Sequence, residues 1–168
     1  MAKSMVRMNY RSVNKTKLFF VFFLFCPVTL FANKAEPFFT KGYALYNQKK
    51  YDSALIQFKK GLTYDKSDYL IYQTIGHIYR FQKKGAASIP FYLKAIELKP
   101  DDANLHAVLA LSYGEVKKTQ ERIKHLSKAI AISKKNGTKI ESWWLINLGY
   151  ALSSQKQYAK AIDNFLEV

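Results

Sequence analysis

The chain has 168 residues, enough for one domain of ordinary size. Apolar residues make up 49% and aromatic residues 15%, which excludes an intrinsically disordered protein, and only 7 Gly and 4 Pro exclude a collagen-like or linker-dominated chain. The formal charge of +15 favours anionic surfaces or partners, and a single cysteine excludes a disulfide framework or a Cys-rich zinc site.

The first 32 residues have the pattern of a secretory signal. Five basic residues and no acidic residue precede the apolar run 18–31, LFFVFFLFCPVTLF. A 14-residue helix would span about 21 Å, short of the ~30 Å hydrocarbon core, so cleavage after Ala32 is favoured over anchoring. We therefore predict a signal peptide at 1–32, a folded domain at 33–168, and export to the periplasm or beyond the cell. Retention of the segment would instead leave the protein attached to the membrane.

A repeat of 34 residues organises the rest of the chain. Small residues recur at Gly42, Gly76, Ala110 and Gly149 with spacings of 34, 34 and 39, and an insertion at 137–141 explains the longer spacing. Apolar residues recur around them at intervals of three and four, which is typical of amphipathic helices. The predicted repeats are 35–68, 69–102, 103–136 and an incomplete 142–168.

Each repeat is predicted to form two antiparallel helices. Small residues at fixed places in both helices allow the two backbones to approach within about 8–10 Å, and large residues are expected to fill the remaining grooves. Asp68 and Asp102 stand where first helices need an N-cap. A single hairpin cannot bury both of its faces, so successive hairpins are expected to stack.

Two residues depart from this pattern. Pro90 falls early in the second helix of the second repeat and fits if that helix begins near Ala86 or Ala87. Arg122 stands where the other repeats have a small residue, which predicts an outward side chain or a splayed helix pair in the third repeat.

The pattern resembles the tetratricopeptide repeat family, in which an aromatic residue, Leu-Gly, Tyr, Ala, Phe, Ala and Pro follow in order. The stretches YDSALIQFKKGL and FYLKAIELKPDD match it closely. The resemblance implies an all-α fold, a right-handed superhelical solenoid of stacked antiparallel helix pairs. It also implies that the first helices line a concave groove that binds a peptide or helix of a partner protein.

No catalytic motif accompanies the repeats. The sequence contains no glycine-rich phosphate loop, no nucleophile elbow and no His-Glu-x-x-His pair. His77, His106 and His125 share no metal-ligand spacing, and the last two are expected to pack or to lie on the surface. We therefore predict a binding scaffold without enzyme activity, cofactor or metal.

The resemblance also implies which side chains face the groove. Aromatic residues and arginine dominate binding energy at protein interfaces, although some of these residues could instead pack between helices. The candidate partner-binding residues are Phe39, Tyr43, Tyr46, Gln73, His77, Arg80, Phe81, Trp143 and Tyr150.

Lysines recur at the same place in every repeat, in the turn between its two helices. Equivalent turns of stacked hairpins should lie about 10 Å apart on one edge, close to the Debye length of ~8 Å, so that the charges reinforce one another. We predict a basic ridge for an anionic envelope surface, the alternative being that these lysines only aid solubility. The basic ridge consists of Lys49, Lys50, Lys83, Lys84, Lys117, Lys118 and Lys156.

Other interpretations stay open. The positive charge would suit a nucleic-acid binder, but the predicted export and the lack of a nucleic-acid motif argue against it. Phe165, Leu166 and Val168 give the last helix an apolar end, where a solenoid usually carries a polar cap. This predicts self-association through that helix, coverage by a partner, or a fragment of a longer multidomain protein.

Overall fold

A computed structural model describes residues 34–168, and the predicted signal peptide lies outside these residues. Within the described part of the chain, eight α-helices follow one another without a strand. They are α1 (Glu36–Asn47), α2 (Tyr51–Gly61), α3 (Tyr69–Phe81), α4 (Gly85–Leu98), α5 (Ala103–Glu115), α6 (Thr119–Asn136), α7 (Ser142–Ser154) and α8 (Tyr158–Leu166). They pack in consecutive pairs, which confirms the predicted all-α fold.

The two helices of a pair meet where the repeat pattern predicts. A Cβ atom placed on Gly42 would lie 2.6 Å from Cε1 of Phe58, and one on Gly76 would lie 2.7 Å from Cε1 of Tyr92. Both aromatic side chains are completely buried. Glycine therefore provides the space for the ring, and the ring fills the groove that glycine leaves.

Successive pairs stack through their apolar faces. Ile71, Ile75 and Ile78 of α3 are fully buried and share one core cluster with Leu55 and Phe58 of α2. A corresponding cluster joins α5 and α6 to α7. Burial of these faces is what holds one hairpin on the next, because no single hairpin could remove both from water.

The two helices of each pair are joined by a short turn, and the turns share one backbone conformation. In the second turn the backbone N–H of Lys83 donates to the carbonyl of Arg80 at 2.8 Å, and that of Lys84 donates to the carbonyl of Tyr79 at 2.8 Å. Lys83 has a φ of 60°, in the left-handed region, as this type of helix ending requires. The equivalent residues Lys49, Lys117 and Lys156 have φ between 58° and 60°.

The connections between pairs carry the predicted caps. Oδ1 of Asp68 accepts a hydrogen bond from the backbone N–H of Leu70 at 2.8 Å, and Oδ1 of Asp102 accepts one from that of Leu105 at 3.2 Å. Gly137, with a φ of 63°, ends the long helix α6. The predicted insertion therefore begins at a left-handed C-cap.

The structure resolves both departures from the repeat pattern. Helix α4 begins at Gly85, slightly earlier than predicted, and Pro90 lies inside it. The ring removes a hydrogen bond from the carbonyl of Ala86, but both residues are exposed, so water can solvate that carbonyl. The expectation that Arg122 swings outward or splays the third pair is wrong. Its stem lies beside Gly114, and its guanidinium donates to Oδ1 of Asn147 on α7.

No helix within residues 34–168 has the length and apolar character needed to cross a membrane.

Candidate partner-binding groove

An aromatic cluster lies where the ends of α1 and α3 meet the starts of α2 and α4. We define it as Tyr46, Tyr51, His77, Phe81 and Tyr92. The ring of Phe81 lies 5.7 Å from that of Tyr51, 6.3 Å from that of His77 and 6.5 Å from that of Tyr46, measured between centroids. Phe81 is nevertheless 55% exposed. A large apolar side chain is therefore held in place by its neighbours while one face stays open to solvent.

The repeat explains how these residues come together. His77 and Phe81 lie one helical turn apart on α3, so their side chains share a face. Tyr46 precedes the first turn and Tyr51 follows it, so the turn brings both to the same end of the first pair. Stacking of α3 on this pair then places Phe81 beside both rings.

His77 is fixed by a hydrogen bond from the second helix of its own pair. The hydroxyl of Tyr92 lies 3.0 Å from Nδ1 of His77, and the two rings meet edge to face at 5.5 Å. Burial lowers the pKa of His77, with Arg80 adding to the effect, and burial raises the pKa of Tyr92. Both groups are therefore neutral near pH 7, and a hydrogen bond joins the Tyr92 hydroxyl to Nδ1 of His77.

A salt bridge forms the polar rim of the cluster. Nε of Arg80 on α3 lies 2.9 Å from Oε1 of Glu115 on α5. Arg80, Phe81, Lys83 and Glu115 line an open cavity of about 390 Å³. Partly exposed ion pairs contribute less than about 1 kcal/mol to stability, so Arg80 and Glu115 can exchange partners at little cost. The cavity suits an apolar side chain with a polar group beside it.

The remaining candidates are distributed along the first helices. Tyr43 is half-buried; its ring meets that of Phe58 edge to face at 5.1 Å, and burial raises its pKa. Tyr43 therefore acts mainly in packing. Gln73 is half-buried on α3, and Trp143 is half-buried on α7. Tyr150 on α7 is 63% exposed and lies away from the aromatic cluster.

Phe39 does not belong to the groove, contrary to the sequence-based prediction. Only 6% of it is exposed, and its ring lies against Gly61 in the core of the first pair. Its neighbour Phe38 is the more accessible ring and stacks on Tyr64 at 5.6 Å. The two adjacent phenylalanines point about 100° apart around the helix, so the rotational orientation of α1 decides which of them is buried.

The sequence gives no direct indication of Tyr51 and Tyr92 as site residues. Both lie on second helices, which the resemblance does not assign to the groove. The aromatic content of 15% was the only signal that could have drawn attention to them.

Two of the histidines form a stacked column on the third pair. The rings of Tyr113, His125 and His106 follow one another at 5.4 Å and 5.3 Å. Nδ1 of His106 lies 3.0 Å from Nδ1 of His125, and Nε2 of His106 lies 3.3 Å from the carbonyl of Pro100. The carbonyl can only accept, so His106 carries its proton on Nε2 and accepts at Nδ1 from His125. Among residues 34–168, no three His, Cys, Asp or Glu side chains are grouped so that they could hold a metal.

The basic ridge lies along one edge of the stack. All seven lysines are exposed, and their turns are linked to one another by side chains. Nε2 of Gln82 donates to Oδ1 of Asp52 at 2.8 Å between the first and second pairs. Nε2 of Gln120 donates to Oε1 of Gln155 at 3.1 Å between the third and fourth. The salt bridge of the polar rim joins the second pair to the third.

Comparison with known proteins agrees with this architecture. A family model described as tetratricopeptide repeat matches residues 35–68 and 69–102. Residues 35–102 therefore match two tetratricopeptide repeats, and the eight paired helices have a tetratricopeptide-like repeat fold. A search of curated proteins gave no match.

Two solved structures illustrate the similarity. MamA from Desulfovibrio magneticus RS-1 has a TM-score of 0.70 at 21% identity, over 80% of this chain and 73% of that one. YrrB, described as a tetratricopeptide repeat protein with an unusual peptide-binding site, has a TM-score of 0.68 at 14% identity, over 81% of this chain and 68% of that one. At these identities the similarity shows the fold alone.

Proposed function

We propose that this protein is a scaffold that binds a peptide or short helix of a partner protein on the aromatic cluster. The observation that carries the proposal is the exposed ring of Phe81, which three aromatic neighbours hold in place beside a polar rim. The peptide-binding site named for YrrB supports the same general use of this fold.

The binding mechanism is presentation on a rigid surface. Helix packing fixes Phe81 and His77, so few of their rotamers are lost when a partner binds, and the affinity lost to ordering is small. An apolar side chain of the partner covers Phe81 and displaces water from it. Arg80 and Glu115 then offer a donor and an acceptor to the partner's backbone or polar side chains.

The site has a centre and an extension. We assign Tyr46, His77, Arg80 and Phe81 to the centre, because the ring of Phe81 lies beside those of Tyr46 and His77 and lines a cavity together with Arg80. Gln73, Trp143 and Tyr150 would extend contact with a longer segment along the first helices. Tyr43 supports this surface by packing against Phe58.

Peptide selection tests the proposal. A random peptide library is selected against the unmodified chain, and the affinity of the enriched peptides is measured for Phe81→Ala and for Tyr64→Ala. Tyr64 is a matched control because it is similarly exposed and stacks on Phe38, away from the cluster. We expect Phe81→Ala to weaken binding at least about tenfold, as hot-spot aromatics do, and Tyr64→Ala to leave it within about twofold. Equal affinity of both variants would remove the aromatic cluster as the binding surface.

We also propose that the protein is exported. The basic flank and apolar run of residues 1–31 support this, and the proposed mature chain begins at Asn33. Fractionation of the source cells with N-terminal sequencing tests it. A chain beginning at Asn33 outside the cytosol is the expected result. The same domain with residues 1–32 in the membrane fraction would favour the anchored alternative, and an intact chain in the cytosol would contradict export.

A further inference from the structure

The turn lysines adopt a backbone conformation that disfavours their residue type. Lys49, Lys83, Lys117 and Lys156 all have φ near 60°, where Cβ crowds the following carbonyl and glycine is the unstrained choice. The same conformation with the same residue in four turns is not explained by turn formation, because glycine would form these turns better. Because the strained backbone carries a lysine at the same position of every turn, the lysine side chain is inferred to have a role of its own.

The charges of the basic ridge are free to act on another molecule. Within residues 34–168, the observed salt bridges involve other basic residues and none of the seven ridge lysines. The carboxylates at this edge are few: Asp52 accepts from Gln82, Glu115 pairs with Arg80, and Glu121 begins α6. The ridge therefore keeps most of its positive charge.

The opposite edge of the stack carries both signs of charge. The connections between pairs lie at the other end of the helices, and they carry the aspartates that cap α3 and α5. Asp65, Asp68, Glu97, Asp101, Asp102 and Glu141 lie there among lysines, and Lys94, Lys99 and Lys139 form salt bridges with three of these carboxylates. The basic ridge is therefore the edge whose positive charge is least balanced, and an anionic surface would attract it more strongly than the opposite edge.

We propose that the basic ridge docks the domain edge-on to an anionic lipid membrane. Each lysine near such a surface strengthens the electrostatic attraction, and the contributions of the seven ridge lysines to membrane affinity add together. All seven are lysines, whose compact hydrated ammonium groups suit a diffuse surface charge, whereas arginine would suit paired contacts to individual phosphates of a nucleic acid. The apolar run 18–31 also predicts that the chain meets a membrane during its life.

Vesicle binding with two kinds of ridge variant tests this proposal. The full chain, in the form that its host produces after processing, is assayed for vesicle binding. One set of vesicles is neutral phosphatidylcholine, and the other contains about one third phosphatidylglycerol. The neutral vesicles measure any contribution of residues 1–31. One variant replaces the four strained lysines with glycine (K49G, K83G, K117G and K156G), and the second replaces their neighbours with glutamine (K50Q, K84Q and K118Q). The control replaces four exposed lysines away from the ridge, namely Lys66→Gln, Lys124→Gln, Lys128→Gln and Lys135→Gln.

The glycine variant separates a role in binding from a role in folding. We expect it to melt at a higher temperature than the unmodified chain, because the strain is relieved, and yet to bind anionic vesicles at least about tenfold more weakly. The glutamine variant should also lose binding without a change of turn backbone. The control has the same net charge as the glycine variant and should bind within about threefold of the unmodified chain.

Three results would overturn the proposal. They are equal binding of the unmodified chain to neutral and anionic vesicles, equal loss in the control and the ridge variants, and unchanged vesicle binding in both ridge variants. Duplex DNA is included as a second probe: ridge-dependent binding to DNA without binding to vesicles would replace the membrane with a nucleic acid. The peptide-binding test on Phe81 is independent, so failure of one proposal leaves the other intact.

Discussion

The ring of Tyr92 occupies the space where Gly76 has no side chain, and this contact sets how closely α3 and α4 approach. A Cβ atom at Gly76 would meet Cε1 of Tyr92 at 2.7 Å, closer than packed carbon atoms tolerate. Tyr92 also holds His77 of the aromatic cluster. The packing of the pair and the geometry of the proposed site therefore depend on the same side chain.

Gly76→Ala should destabilise the protein. The added methyl group overpacks a fully buried contact, with an expected cost of about 1–3 kcal/mol in free energy of unfolding. Gly114→Ala is the control in α5, because there the nearest atoms to the new Cβ belong to the side chain of Arg122, at 3.3 Å, and not to a buried ring. Urea denaturation checks both. Equal effects of the two substitutions would contradict the importance of the Gly76–Tyr92 contact.

Lys83→Gly should stabilise the protein. Glycine adopts the φ of 60° without strain, and relief of that strain is worth up to about 1 kcal/mol after its greater freedom in the unfolded chain is counted. Lys84→Gly serves as the comparison, since Lys84 has a φ of −107° and gains nothing from glycine. A higher urea midpoint for Lys83→Gly than for Lys84→Gly is the expected result. The reverse order would show that the turn conformation is not strained.

Stability should fall as the pH is lowered from about 6.5 to about 4. Burial and the neighbouring His106 lower the pKa of His125 to about 4, below the ~6.5 of an unfolded histidine. Between these values the unfolded state binds more protons than the folded state, so acid favours unfolding, and the stability is fully present above about 6.5. Burial lowers the pKa of His106 as well, so it contributes in the same direction.

Urea midpoints measured across this pH range check the histidine column. His125→Phe keeps a ring in the stack but removes the titrating group, so its stability should depend less steeply on pH. An unchanged slope in this variant would assign the acid sensitivity to other groups.

Helix α8 should mediate self-association. Ile162, Phe165 and Leu166 are exposed on it, whereas Leu55 and Phe58, at the positions of α2 equivalent to Ile162 and Phe165, are covered by α3. A second copy that covers α8 would bury this apolar face. Sedimentation velocity at increasing concentration is expected to show dimers that Ile162→Lys with Leu166→Lys removes. A monomer at all concentrations in the unmodified chain would exclude this contact.

The repeat pattern was enough to predict the helix pairs and the residues at which they meet. The close approach at Gly42 and Gly76 follows from a spacing that recurs along the chain, because two helices come close only where a small residue leaves space. The structure adds that Phe58 and Tyr92 fill that space. The caps at Asp68 and Asp102 were predictable for a similarly local reason, since a side-chain oxygen there reaches the first free backbone N–H groups.

The composition of the site was only partly predictable. Burial of Phe39 rather than Phe38 depends on the rotation of α1, and the periodic pattern does not fix that angle when two aromatic residues are adjacent. The contact of His106 with His125 joins two helices, and each histidine alone looks like an ordinary surface or packing residue. Arg122 breaks the repeat pattern locally, but Asn147 of the next pair compensates for it, and only stacking brings the two together.

The order of the amino acids was sufficient to predict the repeat length, the helix pairs and the row of lysines in the turns. These depend on neighbours along the chain, where spacing and residue size decide the outcome. The packing of the helices, in contrast, sets which aromatic side chains remain accessible and which backbone conformation the turn lysines adopt. The exposure of Phe81 and the strain at Lys83 depend on how separate helices close on one another, and that closure results from burial of surfaces far apart in the sequence.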